Sequence, residues 1–239
     1  MLRKTEGIVL RFQKIADNRR IVNIFTRSSG KKAFVVYNSS KSKNNKINLF
    51  QPFFILNLEF NEKENSDFAA LKEVNLAYPF QTIPYQVEKS SIVFFLTEIV
   101  GKIIEGNFVD ERFFDFLKNS ILLLDNHTKT ANFHLSFLAA MSIYIGIMPD
   151  SNYSSFNKYF DLREGVFSSQ FNNQFSMDEF TSRKFNEILE AGMQNFDEVK
   201  LVQAVRKMLL QKILDFYSFH FNNVQNLKSL EVLQEMYGE

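Results

Sequence analysis

The chain has 239 residues, 45% hydrophobic and 23% charged, with no cysteine. It is long enough to bury a core, and without cysteine that core excludes disulfide scaffolds, zinc ribbons and thiol catalysis. The formal net charge is +1, from 28 Lys and Arg against 27 Asp and Glu. Evenly spread, such a balance argues against a polyanionic partner, but it is not evenly spread. Residues 1–46 hold twelve bases (Arg3, Lys4, Arg11, Lys14, Arg19, Arg20, Arg27, Lys31, Lys32, Lys41, Lys43 and Lys46) and two acids, Glu6 and Asp17, a stretch of +10. The remaining 193 residues carry 16 bases and 25 acids, or −9. An asymmetry this steep suggests parts with different partners.

The start, Met1-Leu2-Arg3-Lys4, runs into charged, alternating sequence instead of an apolar signal region, so a cytoplasmic protein is expected. Residues 133–148 form the nearest approach to a membrane span. They are 16 residues interrupted by His134, Ser136 and Ser142, short of the ~20 a bilayer needs, and read as a core helix.

From Glu6 to Tyr78 the pattern has a period near two, rich in β-branched and aromatic residues, and predicts strands over 7–12, 20–26, 32–37, 53–60 and 68–78. Arg27-Ser28-Ser29-Gly30-Lys31 is a turn of hairpin length, whereas 38–48 is a longer polar connection bearing Lys41, Lys43 and Lys46. Five short strands without an interrupting helix suggest a small barrel of the OB type; a sandwich or an SH3-like barrel also fits. After Pro79 and Pro84 the period becomes helical, predicting helices over 90–105, 111–125, 131–147, 181–193 and 198–221, the last behind Asn195 and Asp197 as candidate caps. Its stripe of Val202, Val205, Leu209, Ile213 and Phe216 reads as a core seam. Around Glu164-Gly165 a tight hairpin is expected within an irregular region, about 150–175. The class is α+β multidomain: an OB-fold barrel over 1–80, then an all-α domain over 85–239 with the small hairpin inserted.

Nothing suggests catalysis. His127, His134 and His220 are not paired at metal-binding spacing, and there is no nucleophile elbow, phosphate loop or dinucleotide fingerprint. His134 and His220 read as core and helix-terminal residues. The 28 phenylalanines mostly fill core; only Phe12, Phe25, Phe34 and Tyr37, interleaved with bases, suit base stacking. The basic cluster is the informative feature, since neutralising phosphates releases counterions and gives salt-dependent, sequence-indifferent binding. Its candidate contacts are Arg11, Lys14, Arg19, Arg20, Arg27, Lys31, Lys32, Lys41, Lys43 and Lys46. On the last long helix, Arg206, Lys207 and Lys212 beside apolar neighbours are candidates for holding an acidic, aromatic peptide tail.

The order of several segments carries a resemblance. Glu6-Gly7-Ile8-Val9-Leu10-Arg11, Ile21-Val22 with Thr26-Arg27 and Gly30-Lys31, and Leu76-Ala77-Tyr78-Pro79-Phe80-Gln81 are followed by Lys89-Ser90-Ser91-Ile92, Phe114-Asp115-Phe116-Leu117-Lys118-Asn119-Ser120, Asn132-Phe133-His134-Leu135 and Phe160-Asp161-Leu162-Arg163-Glu164-Gly165. With the terminal His220 and Leu227-Lys228-Ser229-Leu230-Glu231-Val232-Leu233 they resemble, across nearly the whole chain, the RecO family of bacterial recombination mediators in its Bacteroidetes form. The resemblance implies an OB fold before a helical domain and no enzymatic activity or cofactor. It also implies binding of single- and double-stranded DNA, strand annealing, contact with the C-terminal tail of single-strand-binding protein, and loading of RecA together with RecR. Within the family's basic OB surface the matching positions are Arg11, Arg27 and Lys31, with Lys41 and Lys43 in the corresponding loop. Two departures stand out. Many relatives flank the hairpin with cysteine pairs for zinc; here Ser151, Tyr153, Ser154, Ser168 and Ser169 occupy the flanks, so Tyr153, Phe156, Tyr159, Phe160 and Phe167, or packing on helices, must hold it without metal. The turn after the first strand reads Ile15-Ala16-Asp17-Asn18, and the stretch after the third reads Asn38-Ser39-Ser40. An adaptor with an inert basic domain and an RNA-binding OB protein are the alternatives.

Overall fold

The structure, a computed structural model, describes residues 1–37, 46–61, 68–104 and 108–236. The chain separates into two compact units, Met1–Asn126 and His127–Glu239.

In the first unit, β1 (Leu2–Ala16), β2 (Arg19–Thr26), β3 (Gly30–Tyr37), β4 (Ile55–Asn61) and β5 (Phe68–Leu76) close into a barrel ordered β1-β2-β3-β5-β4. This is the OB-like architecture expected. Neighbours pair antiparallel except β3 with β5, which is parallel. Strand alternation sends Val9, Val22, Ile24, Phe34 and Phe60 inward, each at 0% exposure, and Phe34 meets Phe60 edge to face at 5.2 Å. β1 is far longer than its apolar run because it serves two partners: Leu2 to Ile8 pair with β4, and Gly7 to Ala16 pair with β2. Register shifts between Val9 and Arg11 and between Lys14 and Ala16 bend it from one partner to the other.

Two helices, α1 (Val87–Ile103) and α2 (Glu111–Asn126), pack with the barrel in the same unit. The connection into α1 is fixed by Asp125, 1% exposed, at the end of α2. Its carboxylate accepts from the backbone N–H groups of Gln81, Thr82 and Ile83, each at 2.9 Å. Lys89, 2% exposed, donates to the Asp125 carbonyl at 2.9 Å and to the Thr82 hydroxyl at 2.7 Å. Three polar groups that burial would otherwise leave unsatisfied thus satisfy one another.

The second unit contains α3 (Phe133–Tyr144), the hairpin strands β6 (Tyr159–Asp161) and β7 (Val166–Ser168), α4 (Glu179–Ala191), α5 (Gln203–His220) and α6 (Lys228–Met236). Asp178 caps α4 by accepting from the Thr181 N–H at 2.7 Å. The hairpin turns where expected, with Gly165 at φ +69. It is held by rings: Phe160 and Phe167 are buried, and Phe160 lies 4.8 Å from Phe185 and 5.4 Å from Phe216. Tyr153 packs on Phe167 at 5.2 Å, and the Asn152 side chain bonds the Phe167 N–H and carbonyl. Phe156, expected to share this work, is 73% exposed and does not.

Two further expectations are corrected. α5 begins at Gln203 behind Val202, with no side-chain cap; Asp197 instead pairs with Lys129 at 3.6 Å, and Val202 is 69% exposed, outside the seam that Leu209, Ile213 and Phe216 form. α6 was not expected, since its one buried helical residue, Leu233, gives no readable period. Among the described residues no helix is long and apolar enough to cross a membrane.

Burial raises the Asp125 pKa, but the N–H groups of Gln81, Ile83 and Thr82 and the Thr82 hydroxyl outweigh it and hold the carboxyl below its ordinary value. Its contribution to stability is therefore complete above the unfolded value of about 3.9 and is lost as pH falls through the lower folded value. We expect Asp125→Ala to cost about 3–5 kcal/mol in urea unfolding at pH 7, with the gap from wild type shrinking at pH 3; an equal gap at both pH values would contradict this account.

Candidate functional site

The outer face of β1-β2-β3 has two ends with opposite fates. At the end near the β2–β3 turn, Phe25 points outward yet is 0% exposed, because Phe108, Phe113 and Phe114 lie 6.2, 5.8 and 6.0 Å from its ring. Arg27 stacks on Phe114 at 4.7 Å and forks onto the Asp115 carboxylate, with Glu6 at 3.5 Å and Glu111 at 3.8 Å. The hydrogen bond to Asp115, against the cost of burial, raises the guanidinium pKa further. Lys118 also pairs with Glu6, so one barrel acid ties two cations. Lys31 donates to the Gly101 and Ile104 carbonyls at 2.8 and 2.9 Å, satisfying the otherwise open C-terminus of α1. Gly30, at φ +67, passes so close that a Cβ would stand 2.5 Å from the Phe108 carbonyl oxygen. Arg27 and Lys31 are thus bound within the first unit.

At the other end the same face is open. The register sets Arg11 beside Asn23 and Ala33, Gln13 beside Ile21 and Val35, and Arg19 beside Tyr37. Arg11, Gln13, Arg19 and Tyr37 are exposed. Among the described residues no ion pair engages Arg11 or Arg19. Lys14 is exposed and pairs with Asp17 at 2.9 Å within the β1–β2 turn. Arg20, on the inward parity at the barrel mouth, lies 5.7 Å over Phe12, which stacks on Phe50 at 6.0 Å. Lys32 is half-buried, Lys46 opens a 3-10 turn, and Lys41 and Lys43 lie outside the described residues. Of the four aromatic residues that suited stacking, Phe25 and Phe34 are buried and Phe12 is half-buried, leaving Tyr37 at 65% exposure.

In the second unit Arg206 and Lys207 line a pocket of about 110 Å³ with His134, Gln203, Leu210, Leu233 and Gln234. Arg206 donates to the Asn132 side-chain oxygen at 3.2 Å and also borders a groove of about 550 Å³ with Lys129, Lys200 and Val202. Lys212 does not join them; it lies 3.8 Å from Asp215. Burial and the neighbouring Arg206 push the His134 imidazole down to about 3, so it is neutral at physiological pH. Gln203, Leu210 and Leu233 were not candidates from sequence; only α6 brings Leu233 to this pocket. Among the described residues no group of three or more His, Asp and Glu is placed to hold a metal.

Comparison with known proteins divides the chain earlier than the compact units do. The family model for the recombination protein O N terminus matches residues 1–80, and that for its C terminus matches residues 84–231. The chain is 36% identical over 237 residues to the DNA repair protein RecO of Flavobacterium psychrophilum, covering 98% of this chain and 99% of the relative. It is 34% identical over 237 residues to that of Flavobacterium johnsoniae, with the same coverage, and 32% identical over 245 residues to that of Bacteroides fragilis, covering 99% and 100%.

Because Arg27 is bound internally, Arg27→Ala should lower stability by roughly 1–3 kcal/mol, the scale of hydrogen bonds to charged groups discounted for partial exposure. Gly30→Ala should also destabilise, through both its φ and the Phe108 contact. Urea unfolding of the full chain checks both, and an Arg27→Ala variant as stable as wild type would count against the clasp.

Proposed function

Since the chain belongs to the RecO family of DNA repair proteins, we propose that the open end of its basic barrel face holds the phosphate backbone of single- and double-stranded DNA. The observation that carries this reading is the division of the face: α2 and its acids engage Arg27, whereas Arg11 and Arg19 stand exposed and have no acidic partner among the described residues. In this reading Arg11, Lys14 and Arg19, with Arg20 at the barrel mouth and Lys41 and Lys43 from the following connection, meet phosphates. Binding is then electrostatic and largely blind to sequence. Holding two strands by their backbones leaves their base edges free, which is what annealing requires. The protein acts by binding alone, in the cytoplasm, and makes or breaks no bond.

The acidic remainder of the chain would serve proteins. The pocket beside Arg206 and Lys207 joins cationic rims to apolar Leu210 and Leu233, a combination suited to the acidic, aromatic C-terminal tail of single-strand-binding protein. RecR, and RecA through it, are the further partners that this role implies.

The DNA reading is tested by fluorescence titration of labelled single strands across a salt series. The log K should fall by about 0.7 per log salt for each phosphate contact, and Arg11→Glu with Arg19→Glu should weaken binding and flatten the slope, while Arg27→Ala should leave the slope unchanged. A wild-type slope near zero would end the reading, and an RNA strand that outcompetes DNA would redirect it. For the tail, Arg206→Glu should weaken capture of the terminal peptide about tenfold or more by fluorescence anisotropy, whereas Lys212→Glu should not.

A further inference from the structure

We infer that Tyr37 is a base-stacking residue that makes the barrel face prefer single strands over duplex, an inference that rests on the DNA-binding reading above. Tyr37 ends β3 on the outward parity shared with Val35, opposite Arg19 in the antiparallel register. Directly opposed residues of such a pair have Cβ atoms about 5 Å apart. The ring is therefore flanked by a cation that no acid neutralises among the described residues. Tyr37 is 65% exposed, and among the described residues its side chain has neither a ring partner nor a hydrogen bond. Leaving about two thirds of its surface uncovered by its own fold, it presents the ring beside a charge suited to phosphate.

The neighbourhood sets the footprint. Below Tyr37 on the same face lie half-buried Val35 and Ile21, then Ala33, Asn23 and Arg11. From Tyr37 to the Arg11 row is four residues along β3, about 13 Å at the usual strand rise. A strand of nucleic acid crossing this face meets a cation, an aromatic ring and a low apolar saddle, then a second cation. The sequence is that of a stacking platform between two phosphate clamps. Past the Arg11 row, α2 covers the face at Phe25, so the platform is short. A duplex keeps its bases stacked on one another and offers the Tyr37 ring no base face, whereas an unpaired strand does. Phosphate clamps alone hold both forms; the ring separates them.

The chain contains no tryptophan, so Tyr37→Trp in the full-length protein provides a single indole at the platform. A thymidine oligomer should quench its emission on binding, and an abasic sugar–phosphate oligomer of equal length should bind without quenching. Tyr37→Ala, whose exposed position spares the fold, should lose about 5- to 150-fold in affinity for the thymidine oligomer. It should retain its affinity for the abasic strand and for duplex, keep the salt slope unchanged, and be rescued by Tyr37→Phe. Equal losses on thymidine and abasic strands, or no loss on either, would overturn the inference while leaving backbone binding standing. Failure of the wild type to bind any of these strands would overturn both.

Discussion

Phe25 against the aromatic trio of Phe108, Phe113 and Phe114 is the contact on which the first unit turns. An outward-facing phenylalanine on a barrel is worth about 1.5–3 kcal/mol only if something covers it, and α2 does so. The covering helix brings Glu111 and Asp115 over the strands, and these acids engage Arg27. The ion pairs themselves, partly exposed, add modestly. Their larger effect is to fix which basic residues are structural. The contact thereby divides one strongly basic segment into a clasp and a free surface.

That division explains how far the sequence could be read. Period-two runs located all five strands, because one face of each is buried; the ends of β1 escaped, because residues 2–6 and 13–16 bury no side chain fully and so carry no apolar alternation. The basic segment was legible as a whole, but Arg11 and Arg27 are the same residue type in similar local settings. What separates them is an acid 88 residues further along the chain from Arg27, and for Lys31 carbonyls 70 and 73 residues away. No local pattern encodes such distances. The resemblance to a family identified the class of protein and offered Arg11, Arg27 and Lys31 as equivalent positions, which the packing then distinguishes. In the helical part, the period placed α4 from residue 181, and its actual cap, Asp178, was not singled out. Asp197 read as a cap, yet it lies in a turn and spends its charge on Lys129.

The hairpin of the second unit illustrates a different economy. With no cysteine, its two short strands are closed by Phe160 and Phe167 on Phe185 and Phe216, and by a single asparagine, Asn152, that reads one backbone position twice. Ring packing of this kind is continuous with the core of α4 and α5. The hairpin therefore shares the stability of those helices.

The Asp125 network bears on how this chain can be divided. The two family models meet between residues 80 and 84, the very segment whose N–H groups converge on Asp125 from the far end of α2. A fragment cut at that border would lose the acceptor for its last ordered turn and leave Phe25 wet, so the shortest autonomous N-terminal piece extends through Asn126. The matched segment and the compact unit are different lengths of the same chain, and a piece of this chain that keeps its barrel covered must carry the first two helices with it.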